Sequence, residues 1–95
     1  MWKFPKTKFV EENSIDKQLE HIMSEVLEIA YARDYGKIVE EIVDLEHSVE
    51  TLVRIASERY IKIYGIDRLS EKRRKVIAKN KARGYYVSEG SQEES

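Results

Sequence analysis

Four acidic side chains stand in two pairs in the first half of the chain. Glu25 and Glu28 are three residues apart, as are Glu41 and Asp44, and twelve residues separate one pair from the other. On a helix, residues three apart are neighbours on one face, so each pair can aim two carboxylates at one point. Four converging carboxylates are hard oxygen ligands of the kind that suits Mg²⁺ or Mn²⁺. Acidic residues make up 18 of the 95, so pairs with this spacing also arise by chance. A solvated acidic flank is the plain alternative, and the elements that carry the pairs bear on the choice.

The first pair falls on a helix predicted from Asn13 or Ser14, either of which can cap it, to about Arg33, with Asp16 favourable in its first turn. Ile15, Leu19, Ile22, Val26 and Ile29 supply an apolar stripe at helical spacing. A short turn around Arg33-Asp34-Tyr35-Gly36 makes the next helix an antiparallel neighbour. That second helix is predicted from the cap Asp34 to Gly65, a good residue for a left-handed helix end. Its stripe is Ile38, Ile42, Leu45, Val49, Leu52, Ala56, Tyr60 and Ile63. Some thirty residues at 1.5 Å each span about 45 Å, whereas a compact domain of this size has a radius of gyration near 13 Å. Such a helix bends or projects, and a second subunit is the expected cover for a projecting stripe.

With each stripe centred at zero and about 100° per residue, Glu25 and Glu28 fall near −80° and −140°, and Glu41 and Asp44 near −60° and −120°. Both pairs therefore flank their stripes in the same rotational sense. An antiparallel pair packed stripe to stripe is related by a two-fold axis perpendicular to both helices, which puts flanks of like sense on the same side. The heights agree as well: Glu28 and Glu41 lie about 9 and 10 Å from the turn, Glu25 and Asp44 about 14 and 15 Å. The expectation is one cluster of four carboxylates on one groove edge. Like charges that close repel and raise one another's pKa, and a divalent cation relieves them. Glu40, near −160°, points away. His47 lies opposite the stripe and is expected in solvent. His21 lies on the acidic flank, but a site rich in hard oxygens has little need of it as a ligand. Arg33 and Lys37, near the turn, are lesser phosphate candidates.

The remaining segments are less regular. Residues 1–13 read as an irregular arm lying on the body, with Trp2, Phe4, Phe9 and Val10 among lysines. Its aromatics either patch exposed core or stack on a nucleobase. A third, weakly amphipathic helix is expected to start near Asp67 or Ser70, to make its main apolar contacts through Val76 and Ile77, and to end before Gly84. Lys79 and Arg83 share a face of it. They can clamp phosphates or simply place positive charge at a helix C-terminus. Asn80 can bond a base or sugar, or close the helix end. Tyr85 and Tyr86 can stack on a base or pack. Residues 88–95 read as a disordered acidic tail. The domain division expected is an arm over 1–13, a helical domain over 14–87 and that tail.

Length allows one modest core, often supplemented by oligomerisation. The absence of cysteine excludes disulfides and thiolate metal sites. Apolar runs are far shorter than the roughly 20 residues that span a bilayer, and Met1-Trp2-Lys3-Phe4-Pro5-Lys6 lacks the apolar core of a signal peptide. A soluble cytoplasmic protein with no membrane partner is therefore expected. A net charge of −1 conceals 37% charged residues. The acidic centre and the basic stretch from Arg68 to Arg83 fit a metal–triphosphate ligand, and less readily nucleic acid.

The arrangement Glu25-x-x-Glu28, twelve residues, Glu41-x-x-Asp44 resembles the signature of the MazG-like all-α nucleoside triphosphate pyrophosphohydrolases. That group is related to the dimeric dUTPases and phosphoribosyl-ATP pyrophosphohydrolase. Lys79-Asn80-Lys81-Ala82-Arg83-Gly84-Tyr85-Tyr86 is similar to the Lys-Asn-x-x-Arg-Gly-Tyr segment that follows the helical core in those proteins. The likeness covers about Ile15 to Tyr86, in a single minimal module without the tandem copies of full-length MazG. It implies an all-α fold, in which an antiparallel helical hairpin and a shorter third helix assemble into a bundle with a second subunit, as dimer or tetramer. It implies hydrolysis of the α–β phosphoanhydride of an NTP or dNTP, giving a nucleoside monophosphate and pyrophosphate. Glu25, Glu28, Glu41 and Asp44 would be the Mg²⁺ ligands, with Mn²⁺ as the alternative ion. One of the four would instead orient or deprotonate water, and the sequence does not say which. Lys79, Asn80, Arg83 and Tyr86 would contact substrate. The competing expectation is a non-enzymatic dimeric helical module that binds protein or nucleic acid.

Overall fold

The structure, a computed structural model, describes residues 2–87. Their regular structure is entirely helical: α1 (Phe9–Glu12), α2 (Ile15–Tyr31), α3 (Tyr35–Tyr64) and α4 (Leu69–Ala82). No helix among them is long and apolar enough to cross a membrane. The chain divides after Gly65 into a first unit holding the arm and α1 to α3, and a second unit holding α4. Residues 88–95, where a disordered tail is expected, lie outside the described residues.

In the first unit the helix ends follow local chemistry. Ser14 Oγ accepts from the Lys17 amide and starts α2. Asp34 Oδ1 accepts from the Lys37 amide and starts α3, three residues after α2 ends. These side chains satisfy amide donors that a helix leaves open. Gly65 ends α3 at φ 71°, a left-handed conformation costly to residues with a Cβ. Contacts that join Gln18 and Glu25 to Ser48, and Glu28 to Glu41, show α2 and α3 antiparallel.

The face on which the helices meet is shifted to one edge of the predicted stripes, where Ile15, Ile22, Ile29, Ile38, Leu45 and Leu52 are half-buried. Gln18 and Glu25 are the buried residues of α2, and Glu41, Ser48, Thr51 and Ile55 those of α3. On α3 this set is rotated roughly a quarter turn from the stripe centre towards the acidic flank, at about 100° per residue. Leu19, Val26, Ile42 and Val49 are left exposed. Val10 and Ile55 are the fully buried apolar side chains of the described residues, beside those half-buried stripe residues.

The arm explains the rotation. It lies along the polar side of α3 and is held by specific bonds. The amides of Lys3 and Phe4 donate to the two oxygens of Glu50, each at 2.8 Å. Arg54 donates to the Phe4 carbonyl at 2.8 Å and stands 4.5 Å over the Trp2 ring. Lys6 pairs with Glu58 at 3.0 Å, and Arg59 donates to the Asn13 carbonyl. Thr7 meets Thr51 through their hydroxyls. The arm is less irregular than expected, because residues 9–12 form one helical turn that seats Val10. His47, expected in solvent, is half-buried and stacks on Phe4 with ring centroids 4.5 Å apart. The arm covers the side of α3 that the stripe left for water.

Gln18 sits where arm and hairpin meet and is 1% exposed. Its Nε2 donates to the Ser48 carbonyl at 3.0 Å, and its Oε1 accepts from Asn13 Nδ2 at 2.9 Å. Truncation removes both bonds and strands Asn13. Gln18→Ala is therefore expected to cost about 1–3 kcal/mol, read as a lowered urea midpoint with an unchanged slope.

Glu50 gives the arm a pH dependence. Partial burial opposes its ionisation, but the amides of Lys3 and Phe4, aided by Arg54, prevail and hold its pKa below the ordinary 4.5. A depressed carboxylate contributes stability that is fully present above its unfolded pKa and is lost as pH falls through its folded pKa. Fluorescence of Trp2, the single tryptophan, is expected to report arm release in an acid titration, with a midpoint below pH 4.5. Glu50→Gln is expected to show the released signal already at neutral pH. A flat acid titration of the wild type would count against the bonded arm.

In the second unit α4 begins at Leu69. The Leu69 amide donates to Asp67 Oδ1 at 2.9 Å, and Arg68 pairs with Glu71 at 2.8 Å. Ser70, one of the two expected starts, lies inside the helix, whose N-cap position is Arg68. No α4 residue is buried, and Val76 and Ile77, expected as its apolar contacts, are exposed. The C-terminal end closes with Gly84 at φ 75°, the Gly84 amide on the Lys81 carbonyl and the Tyr85 amide on the Asn80 carbonyl. That pair of bonds is a Schellman ending.

Candidate metal centre

The hairpin brings Glu25 and Glu28 of α2 against Glu41 of α3. One carboxylate oxygen from each lies within 4.8 Å of those of the other two. Glu25 and Glu41 are each 8% exposed, whereas Glu28 is open to solvent. The quarter-turn rotation of α3 has this consequence. Carboxylates expected to flank the interface are drawn into it, one from each helix. Asp44 is exposed and one turn further along α3. It shares with Glu25 the wall of an adjoining cleft that also includes His21, His47, Ser48 and Thr51. The expected four carboxylates thus appear as three grouped together and a fourth beside Glu25.

Each carboxylate has different neighbours. Glu25 Oε1 lies 3.0 Å from His21 Nε2 and 3.4 Å from the Ser48 hydroxyl, the latter a weak contact. Glu41 Oε1 lies 2.9 Å from the Lys37 ammonium, one helical turn away. Glu41 Oε2 is buried and has no hydrogen-bond partner. Glu28 is pushed above the usual carboxylate range, first by its contact with Glu41 and then by Glu25. Glu41 is held below that range by Lys37, against the effect of partial burial, with Glu28 adding to the depression. Lys37 in turn is raised, chiefly by Glu41 and next by Glu40.

This donor set fits a hard divalent cation on grounds beyond acidity. Buried polar atoms are ordinarily hydrogen-bonded, and one that is not calls for an explanation. The orphaned oxygen of Glu41, nine-tenths buried beside two further carboxylates, has the charge and hardness of a Mg²⁺ or Mn²⁺ ligand. His21 is the group that the sequence placed on the acidic flank without a role. It contacts Glu25, so it steadies that carboxylate. The i,i+4 spacing of Lys37 and Glu41 was the available signal for their ion pair.

Lys79, Asn80, Arg83 and Tyr86 belong to the second unit. There Lys79 and Arg83 are one turn apart at the end of α4, where the Arg83 amide donates to the Lys79 carbonyl. The Arg83 guanidinium stands 5.9 Å from the centroid of the Tyr85 ring. Asn80 uses its carbonyl to close the helix end and is half-buried. Tyr86 is exposed.

No protein-family model, curated protein or solved structure matches this chain.

Proposed function

We propose that this protein is a Mg²⁺-dependent nucleotide pyrophosphohydrolase, cleaving an NTP or dNTP at the α–β phosphoanhydride to give a nucleoside monophosphate and pyrophosphate. The observation that carries the reading is the group of three carboxylates with the buried, unpartnered Oε2 of Glu41. The MazG-like spacing of Glu25, Glu28, Glu41 and Asp44, followed by Lys79-Asn80 and Arg83, supplies the reaction class.

Glu25, Glu28 and Glu41 would hold the cation, and Asp44, which lines a cleft with Glu25, would be the fourth carboxylate of the site. The bound cation would neutralise phosphate oxygens and so supply the charge stabilisation that phosphoryl chemistry chiefly needs. The chain's residues do the rest. Glu25 and Glu41 are fixed by burial. Glu28, the exposed member of the group, faces the solvent from which the attacking water comes. Lys79 and Arg83 would supply positive charge for phosphate, and Asn80 and Tyr86 would contact the nucleoside, as the MazG-like segment implies. The expected test is a panel of NTPs and dNTPs with Mg²⁺. At least one should turn over, and none should after chelation. Turnover that survives chelation would defeat the reading.

A second copy of the chain belongs to the same proposal. Leu19 and Val26 of α2 and Ile42 and Val49 of α3 lie on flanks of like sense, so they share one side of the hairpin. All four are exposed. Burying a side chain of this kind contributes about 1.5–3 kcal/mol. The wild type is expected to elute as a dimer or tetramer, and Val26→Lys to shift it to a smaller species in size-exclusion chromatography with light scattering.

A further inference from the structure

Lys37 occupies an unusual place. It lies in the first turn of α3, where the helix dipole disfavours positive charge. Its backbone is anchored by the bond from its amide to Asp34. Its side chain is half in water, with the ammonium 2.9 Å from Glu41 and 4.0 Å from Glu40. The two members of the Lys37–Glu41 pair therefore differ in freedom. A half-exposed lysine can swing its ammonium into solvent at little cost. The Glu41 carboxylate is nine-tenths buried and cannot follow it. Its second oxygen, Oε2, is buried without a hydrogen-bond partner. One oxygen of Glu41 is thus neutralised by a removable charge, and the other is left open.

We propose that Lys37 is a built-in counter-cation of the carboxylate site, which neutralises Glu41 when no metal is bound and is displaced when a divalent cation enters. The inference rests on the metal-site reading above and adds a regulation to it. A metal must compete with the ammonium, so Lys37 raises the metal concentration at which the site fills. The displaced side chain has somewhere to go. An open cleft of about 490 Å³ beside the hairpin turn is lined by Leu27, Tyr31, Arg33 and Lys37 together with Glu28 and Glu41. There the ammonium would join Arg33 and create a positive wall facing two of the carboxylates. That charge pattern suits a metal-bound phosphate chain.

The test is Mn²⁺ binding to the full chain, followed by electron paramagnetic resonance of the free ion, with no nucleotide present. Lys37→Met keeps the aliphatic stem and removes the charge. It is expected to bind Mn²⁺ roughly three- to tenfold more tightly than the wild type. Lys37→Arg, which retains the charge, should stay near the wild type. Arg33→Met removes the same charge from the same cleft without an ion pair to Glu41, and is expected to change affinity by less than about twofold. Unchanged or weaker binding by Lys37→Met overturns the inference and leaves the metal site standing. Equal gains in the Lys37→Met and Arg33→Met variants also overturn it, because general electrostatics would then suffice. A wild type that binds no Mn²⁺ overturns both the inference and the site on which it rests.

Discussion

Glu41→Gln is expected to lower turnover by at least about 10²-fold, the loss typical when one preorganised charge-stabilising group is removed, while the helical fold remains. The two halves of that result have separate causes. Glu41 is the buried carboxylate whose second oxygen has no hydrogen-bond partner, so that oxygen is left open to a ligand. Glutamine keeps the volume and one acceptor oxygen but loses the negative charge that binds a hard cation. The fold survives because a neutral amide keeps the size and one acceptor oxygen of the carboxylate and removes one negative charge from the group around Glu28. The Lys37 ion pair is lost, but that lysine is half-exposed, so the structural cost is small. Circular dichroism at matched concentration checks the fold and initial rates check the turnover. A variant with full activity would remove Glu41 from the site.

Mg²⁺ or Mn²⁺ is expected to raise the melting temperature strongly. A ligand that binds the folded state alone stabilises it by about 2.7 kcal/mol at a hundred times its Kd. For a chain of this size that amounts to roughly 10–20 °C. The sensitivity follows from the composition of the interior. Among the described residues Val10 and Ile55 are the buried apolar side chains, whereas Glu25 and Glu41 are buried acids. Carboxylates facing one another oppose the α2–α3 packing, and a cation between them would relieve that opposition at the interface that holds the hairpin together. Ca²⁺ tests whether any divalent ion suffices. No shift at millimolar Mg²⁺ or Mn²⁺ would favour a helical module without a metal centre.

Much of the fold was legible because it depends on single residues with strong local preferences. Ser14, Asp34 and Gly65 mark the hairpin's ends in the sequence, and each makes the bond or adopts the φ that the reading required. The rotation of α2 against α3 was not legible. Periodicity identifies an apolar stripe but not what will cover it. The arm's contacts with Glu50, Arg54 and Arg59 link residues more than forty positions apart, and no local pattern announces them. They bring the polar side of α3 indoors, which is why His47 stacks on Phe4 while Ile42 and Val49 face out. The carboxylate cluster was anticipated from register, and the structure groups three of its four members. The same rotation accounts for the difference. It buries Glu25 and Glu41 and leaves Asp44 on the next turn, beside Glu25 but outside the group. At α4 the signal was ambiguous, because Asp67 and Ser70 are both residue types that cap helices, whereas the helix starts after Arg68 with Asp67 bonded to the Leu69 amide.

The most direct measurement is the identity of the phosphate product when a turned-over nucleotide is followed by ³¹P NMR with Mg²⁺ and no added phosphatase. The account predicts nucleoside monophosphate and pyrophosphate in equal amounts from the first turnover, with no nucleoside diphosphate. Release of orthophosphate and nucleoside diphosphate would contradict α–β cleavage, and an unchanged spectrum across the whole NTP and dNTP panel would contradict the enzyme.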